Sequence, residues 1–309
     1  MELIERVREN ERVFPHVVLT LGSFDGVHRG HRLILDAVVQ AARAAGGTAA
    51  VLTMRPHPRQ FFAPDHAPNL LTSDEKKFAL FAAAGVDVTF VLEFNAETAN
   101  LPAEEFVRGI IHERCHAREV IVGHDCRFGK GARGDYATLE SLGPRYNFST
   151  RQVPPLIVEG ERISSTLIRE RVLQADLDEV EKLLGRKYSI VGEVVTGRGI
   201  GRKLGFPTAN IRPHHSAIPA QGVYIAEAFV DGVRKPAAVN IGIAPTIRHE
   251  DITVEAYLLD FDGELPGKRI ELIFHRRIRP EKKFASITAL TEQIAADVEE
   301  TRAYFAADV

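Results

Sequence analysis

Two histidines three residues apart, His28 and His31, stand in the run Gly22-Ser23-Phe24-Asp25-Gly26-Val27-His28-Arg29-Gly30-His31. Two imidazoles one helical turn apart suit charge that builds up on a phosphorus centre. Glycines in the run let the backbone approach a ligand closely. The plain alternative is a tight turn with exposed histidines.

Three further constellations follow in the first half. Thr53-Met54-Arg55-Pro56-His57-Pro58 ends an apolar run, and its two prolines fix a loop there. A structural turn with a surface histidine is the plain reading of His57 and Pro58. Gly123-His124-Asp125-Cys126-Arg127-Phe128-Gly129-Lys130-Gly131 offers a hydrogen-bond acceptor, Asp125, and a flat ring, Phe128, among basic residues. That mix suits a ligand with both an aromatic ring and a phosphate; a solvated basic loop is the alternative. Ser164, Ser165 and Thr166 open a helix with Arg169 one turn inside. Three hydroxyls exceed what capping needs, and with a guanidinium they could hold polyphosphate oxygens.

The second half carries two more. Gly197-Arg198-Gly199-Ile200-Gly201-Arg202-Lys203-Leu204-Gly205-Phe206-Pro207-Thr208-Ala209-Asn210 lacks the Gly-Lys-Ser/Thr ending of a Walker A loop. Pro207 prevents a long helix from following the glycines, so a dinucleotide fingerprint is also a poor match. A glycine loop over phosphates fits, with Arg198, Arg202 and Lys203 nearby. Thr208 and Asn210 present neutral oxygens on one side of an extended segment, a donor set that magnesium accepts. Glu255 lies inside the apolar run Thr253-Val254-Glu255-Ala256-Tyr257-Leu258-Leu259. A buried carboxylate is costly unless paired or working, and this one could take a proton from an attacking hydroxyl. An outward-facing strand residue is the alternative.

Alternating elements must hold the first set. Apolar runs at 17–21, 48–53, 87–92, 119–122 and 149–153 read as strands, and 31–45, 74–84 and 103–115 as helices. That order predicts a parallel, doubly wound sheet, with phosphate ligands at the carboxyl ends of its strands. His28 and His31 then fall where a strand hands over to a helix, whose free N–H groups favour an anion. The pattern changes near residue 185. Short β-rich runs at 188–195, 222–231, 235–241, 252–261 and 269–275 predict an antiparallel barrel or sandwich. A final helix near 285–305 places Ile287, Leu290, Ile294 and Val298 on one face.

With 309 residues, two domains are expected. A net charge of −3 argues against a binder of nucleic acid held by phosphate charge. The longest apolar runs are too short to span a membrane, and the N-terminus has no signal-peptide pattern. Two cysteines make no disulfide framework, which fits a cytoplasmic protein. His112, Cys115, His116, His124 and Cys126 crowd a short stretch, but without a familiar zinc spacing.

GSFDGVHRGH, RPHP, GHDCRFGKGARGD and ISSTLIRERV, in that order over about 150 residues, resemble the FMN adenylyltransferase module of the bifunctional prokaryotic riboflavin kinase/FAD synthetases. GRGIGRKLGFPTANI, GVYIAEAFVDG, AAVNIGIAPTI and VEAYLLDFDGELPGKRIELIF resemble the riboflavin kinase domain of the same family. The resemblance implies an α/β fold: a Rossmann-like nucleotidylyltransferase domain over 1–183, then a six-stranded antiparallel β-barrel with a C-terminal helix over 184–309. It implies ATP, riboflavin and FMN as substrates and Mg²⁺ as cofactor. Glu255 would be the kinase base, and Thr208 and Asn210 would bind Mg–ATP with Gly199 and Lys203. Asn240 would line the flavin side, with Thr246 near it. His28 and His31 would serve adenylyl transfer, with Gly22, Phe24, Gly30, Ser164, Ser165, Thr166 and Arg169 on ATP. His57, Pro58, Asp125 and Phe128 would meet the flavin. Small molecules are then the partners, without nucleic acid or membrane, and self-association is left open. Two departures stand out: Cys126 where the family usually has Phe, and Pro266 where a Tyr-Gly pair is usual. Other readings are a cytidylyltransferase with a binding domain, which GFPTAN and VEAYLLDF oppose, and a flavin-sensing gene regulator, which would want a helix-turn-helix or basic face.

Overall fold

Six short strands build the first sheet: β1 (Glu2–Ile4), β2 (Val17–Leu21), β3 (Thr48–Arg55), β4 (Val88–Glu93), β5 (Ala117–Gly123) and β6 (Ser149–Val153). A computed structural model of the chain describes residues 1–197, 199–215, 217–245 and 250–307. The sheet order is β1-β4-β3-β2-β5-β6 and every neighbouring pair is parallel. β2 is buried at all five positions, as a strand covered on both faces must be. From β2 the chain builds first toward β3 and later toward β5, so a topological switch point lies at its carboxyl end. The helix Arg29–Ala44 starts there and buries Leu35, Val38 and Ala42. The expected helix over 103–115 is a short α-turn, Ala103–Phe106, running into wider π-type turns, Val107–His112. A two-stranded ribbon follows, β7 (Ile157–Val158) with β8 (Glu161–Arg162).

The second half closes into a barrel in the order β10-β13-β12-β11-β14-β9. Its strands are β9 (Ser189–Val195), β10 (Ala209–Pro213), β11 (Gly222–Val230), β12 (Val233–Pro245), β13 (Glu250–Leu258) and β14 (Arg269–Arg279). All its pairs are antiparallel, and closure leaves no edge strand. Val254, Ala256 and Leu258 point into the core, while Thr253, Glu255 and Tyr257 alternate onto the outer wall. β10 mixes polar and apolar residues and ends on Pro213, so its own periodicity does not mark it. The C-terminal helix, Ile287–Ala307, packs on β12 and β11. It buries Val298, whereas Ile287, its first residue, is 71% exposed.

The chain divides into two compact units: Met1–Pro68 with Asp74–Ser165, and Asn69–Ser73 with Thr166–Val309. The helix Leu177–Leu184 packs on β14 and so counts with the barrel, placing this division earlier than residue 183. Segment Asn69–Ser73 is stitched into the barrel unit by Tyr188, whose hydroxyl donates to the carbonyls of Ala217 (2.6 Å) and Leu71 (3.3 Å). No described helix is long and apolar enough to cross a membrane.

Candidate active sites

The turn after β2 fixes the histidine pair. Gly22 still donates to the Leu52 carbonyl at 3.1 Å, and Phe24 and Val27 take left-handed backbone. His28 caps the helix Arg29–Ala44: its Nδ1 accepts the His31 N–H at 3.2 Å. An Nδ1 used as acceptor leaves the ring proton of a neutral imidazole on Nε2. The two rings stack, centroids 3.6 Å apart and 17° from parallel, and His28 is only 5% exposed. Phe24 meets His31 edge-on at 5.1 Å and is itself buried. A Cβ at Gly30 would lie 3.2 Å from the His28 ring, so the glycine makes room for the stack. Ser165 Oγ donates to the Asp25 carbonyl at 2.9 Å, which anchors the start of the helix Ser165–Leu173 to this turn. Ser164 is half-buried beside it. Thr166 and Arg169 fall in the barrel unit, where Arg169 Nε donates to the Asn69 carbonyl at 2.6 Å.

At the end of β3, Arg55 is held between Asp74 (2.7 Å) and Glu5 (2.8 Å). Burial raises the Asp74 carboxyl, yet Lys77 and Arg55 outweigh it and hold the group below the ordinary carboxylate range. His57 caps the short helix that Pro58 begins, its Nδ1 accepting the Arg59 N–H at 3.2 Å. That helix presents Phe61 and Phe62, which form an edge-to-face trio with Phe94 at 5.4–5.6 Å. Phe62 is 64% exposed, an aromatic platform that the sequence motifs did not single out. Its signal was the Phe61-Phe62 pair directly after the proline loop.

In the loop after β5, Asp125 is exposed, 3.9 Å from both Arg162 and His124. Phe128 is 6% exposed and packs on Phe106 at 5.4 Å. Its ring is a core contact, with little of it exposed. Cys126 packs against the same core, and burial pushes its thiol up to about 12. Cys115 is buried in that core and likewise raised.

The barrel carries a cavity of about 760 Å³ on its outer wall. Glu255 on β13 is the direct cross-strand partner of Asn210 on β10 and of Asn240 on β12. All three line the cavity, as do Thr208, Gly197, Gly199 and Gly201. The glycine segment folds down onto this row: a Cβ at Gly197 would overlap the Asn210 amide, and one at Gly201 would touch Thr208 Oγ1 at 2.9 Å. Lys203 ends a helical turn, Ile200–Lys203, and is exposed outside the lining. Arg198 and Thr246 lie outside the described residues. The lining also includes the apolar residues Val223, Phe284, Leu290, Ile294 and Val298, with Val223 the cross-strand partner of Asn240.

Comparison with known proteins divides the chain in the same two ways. The FAD synthetase family model matches residues 11–167 and the riboflavin kinase model residues 184–305. A bifunctional riboflavin kinase/FMN adenylyltransferase of Pseudomonas fluorescens is 38% identical over 98% of this chain and 97% of its own length. The protein so named in Escherichia coli (strain K12) is 36% identical, covering 93% of this chain and 92% of its own. The solved structure named macrolide-efflux protein from Streptococcus pneumoniae aligns with a TM-score of 0.84 at 29% identity, over 97% of this chain and 98% of that one. With both site frameworks in place and near-complete coverage by relatives, the chain belongs to the bifunctional riboflavin kinase/FMN adenylyltransferase family.

Proposed function

We propose that the chain makes FMN from riboflavin and ATP, then FAD from FMN and a second ATP. The observation that carries the reading is the row Asn210, Glu255, Asn240, facing one cavity beneath a glycine segment. Phosphates belong at the glycine end, where Gly197, Gly199 and Gly201 line the space with Thr208 and Asn210. Thr208 and Asn210 offer hard oxygens in a cradle that a Cβ would fill, so a Mg²⁺ ion with its ATP fits there. When bound, Mg²⁺ would neutralise phosphate charge. The flat, apolar flavin ring belongs against the apolar lining. Glu255 then takes the proton of the terminal ribityl hydroxyl, that oxygen bonds to the γ-phosphorus, and ADP leaves.

The histidine turn serves the second step. An FMN phosphate oxygen, already ionised, attacks the α-phosphorus of ATP, and pyrophosphate leaves. The Nε2–H of His28, with His31 stacked on it, stabilises the charge that develops on the transferring phosphate. Gly22, Phe24 and Gly30 frame the rings, and Ser164 and Ser165 hold the neighbouring helix start. Thr166 and Arg169 are assigned to the ATP phosphates. His57, Pro58 and Asp125 bound the flavin side, and Phe62 offers the exposed ring that Phe128 does not. The two domains are assigned to 1–183 and 184–309. The work is placed in the cytoplasm, where ATP is abundant and Cys115 and Cys126 stay reduced. Incubation with riboflavin, ATP and Mg²⁺, followed by chromatographic separation of the flavins, tests the reading: FMN and then FAD are expected. A chain that consumes no riboflavin would rule it out.

A further inference from the structure

A second pair of charges faces the barrel cavity. Arg279 ends β14 and Asp297 lies on the C-terminal helix; both line the cavity, Arg279 at the far end of the cross-strand row Asn210, Glu255, Asn240, Val223, Arg279. Arg279 Nε donates to Asp297 Oδ1 at 3.0 Å and Nη2 donates to Oδ2 at 2.7 Å. Their side chains are 17% and 5% exposed. Further bonds surround the fork. Arg279 Nη1 donates to the Pro280 carbonyl at 3.2 Å, and Gln293 Nε2 donates to Asp297 Oδ1 at 2.9 Å. Lys282 bonds Gln293, and the Phe284 ring lies 5.8 Å from the Arg279 guanidinium. One ion pair therefore joins the end of β14, the turn carrying Phe284 and the helix carrying Leu290 and Ile294.

Holding a helix on a barrel does not require charges. Apolar residues of the same volume often serve as well or better, because two charges must be desolvated. What the fork adds is direction: two parallel N–H···O bonds fix both the distance and the rotation of the helix. The groups so fixed are the apolar lining itself. Glu255 and Asn210 lie at the other end of the row that Arg279 closes, and strand register, not this pair, fixes their places.

We propose that Arg279 and Asp297 are positioning residues of the riboflavin kinase site, setting the gap into which the flavin ring slides. The inference rests on the kinase reading of this cavity. The pair governs how tightly riboflavin binds, and leaves phosphoryl transfer and ATP binding to the Asn210–Glu255 end of the row.

The test uses the full chain with Arg279→Lys, Asp297→Asn and the exchange Arg279→Asp with Asp297→Arg. Riboflavin affinity is read by quenching of flavin fluorescence, and turnover by FMN formation. Each single substitution is expected to raise the Kd and KM for riboflavin about tenfold or more, equivalent to roughly 1.4 kcal/mol. The kcat and the KM for ATP stay within about twofold, and the exchange recovers part of the loss. Wild-type riboflavin Kd in both single variants overturns the proposal. So does a joint loss of kcat and of both KM values with a lowered unfolding temperature, the mark of a purely structural pair. A wild-type chain that binds riboflavin but forms no FMN contradicts the kinase reading instead, and the Kd comparison still decides the role of the pair.

Discussion

Glu255 stands directly across from Asn210 in the register of β13 and β10. Direct cross-strand partners place their side chains on one face, about 5 Å apart. The carboxylate assigned to the riboflavin hydroxyl is thus tied by strand pairing to an oxygen assigned to Mg–ATP. The spacing between acceptor and donor substrates is set by backbone hydrogen bonds, which side-chain motion does not loosen.

Gly197 guards that relationship from above. A methyl group there would overlap the Asn210 amide. Gly197→Ala is expected to cut riboflavin phosphorylation by at least about tenfold. Conversion of supplied FMN to FAD should stay at the wild-type rate. Product chromatography with each substrate in turn checks both halves.

Gly30 does the same for the histidine stack. Its added Cβ would press on the His28 ring from 3.2 Å. Gly30→Ala should slow FAD formation by roughly tenfold while FMN formation is untouched, since a small displacement of a positioned group costs rate more than fold. Equal rates of FAD formation in both proteins would show that the stack is not part of the site.

His275 on β14 makes the barrel sensitive to acid. Burial lowers its pKa from 6.5, with the Glu227 carboxylate at 3.1 Å opposing the shift. Tyr304 lies 3.4 Å from its other nitrogen. A histidine favoured in the neutral form contributes stability that is complete above pH 6.5 and is lost as pH falls through the folded value. The unfolding temperature should therefore fall between pH 7.5 and pH 5. His275→Gln, which cannot ionise, should show a smaller fall. Parallel melting curves across that range would remove His275 as a cause.

Cys126 is expected to be inert. Burial, with Asp125 adding to it, pushes its thiol to about 12, so little thiolate exists at pH 8. Mass spectrometry after iodoacetamide treatment should find Cys126 unlabelled in the folded chain and labelled once the chain is denatured.

The parallel sheet was legible because β2, β3 and β5 are apolar runs punctuated by helices, and the barrel because turn pairs such as Asp231-Gly232 separate its strands. Other elements were not. β10 is a five-residue strand next to a proline, and its membership rests on pairing with β9 and β13. Segment Asn69–Ser73 joins the barrel unit through carbonyls, which carry no side-chain signature. Among the candidate residues, residue type at a given spacing singled out His28, His31 and Glu255, since the chemistry proposed for them is in the side chain. The burial of Phe128 was not legible because burial is a property of the fold: Phe106, twenty-two residues earlier, packs on it. The Arg279–Asp297 fork joins residues eighteen apart in the chain and had no local pattern.

The central claim is that one chain holds two separable transfer sites, and two variants measured side by side test it most directly. Glu255→Gln, given riboflavin, ATP and Mg²⁺, should form FMN about 10²- to 10⁴-fold more slowly, the range of a lost general base. Given FMN, it should form FAD at the wild-type rate. His28→Ala with His31→Ala should do the reverse, making FMN normally and no FAD. Wild-type FMN formation by Glu255→Gln, or wild-type FAD formation by the double histidine variant, would contradict the account.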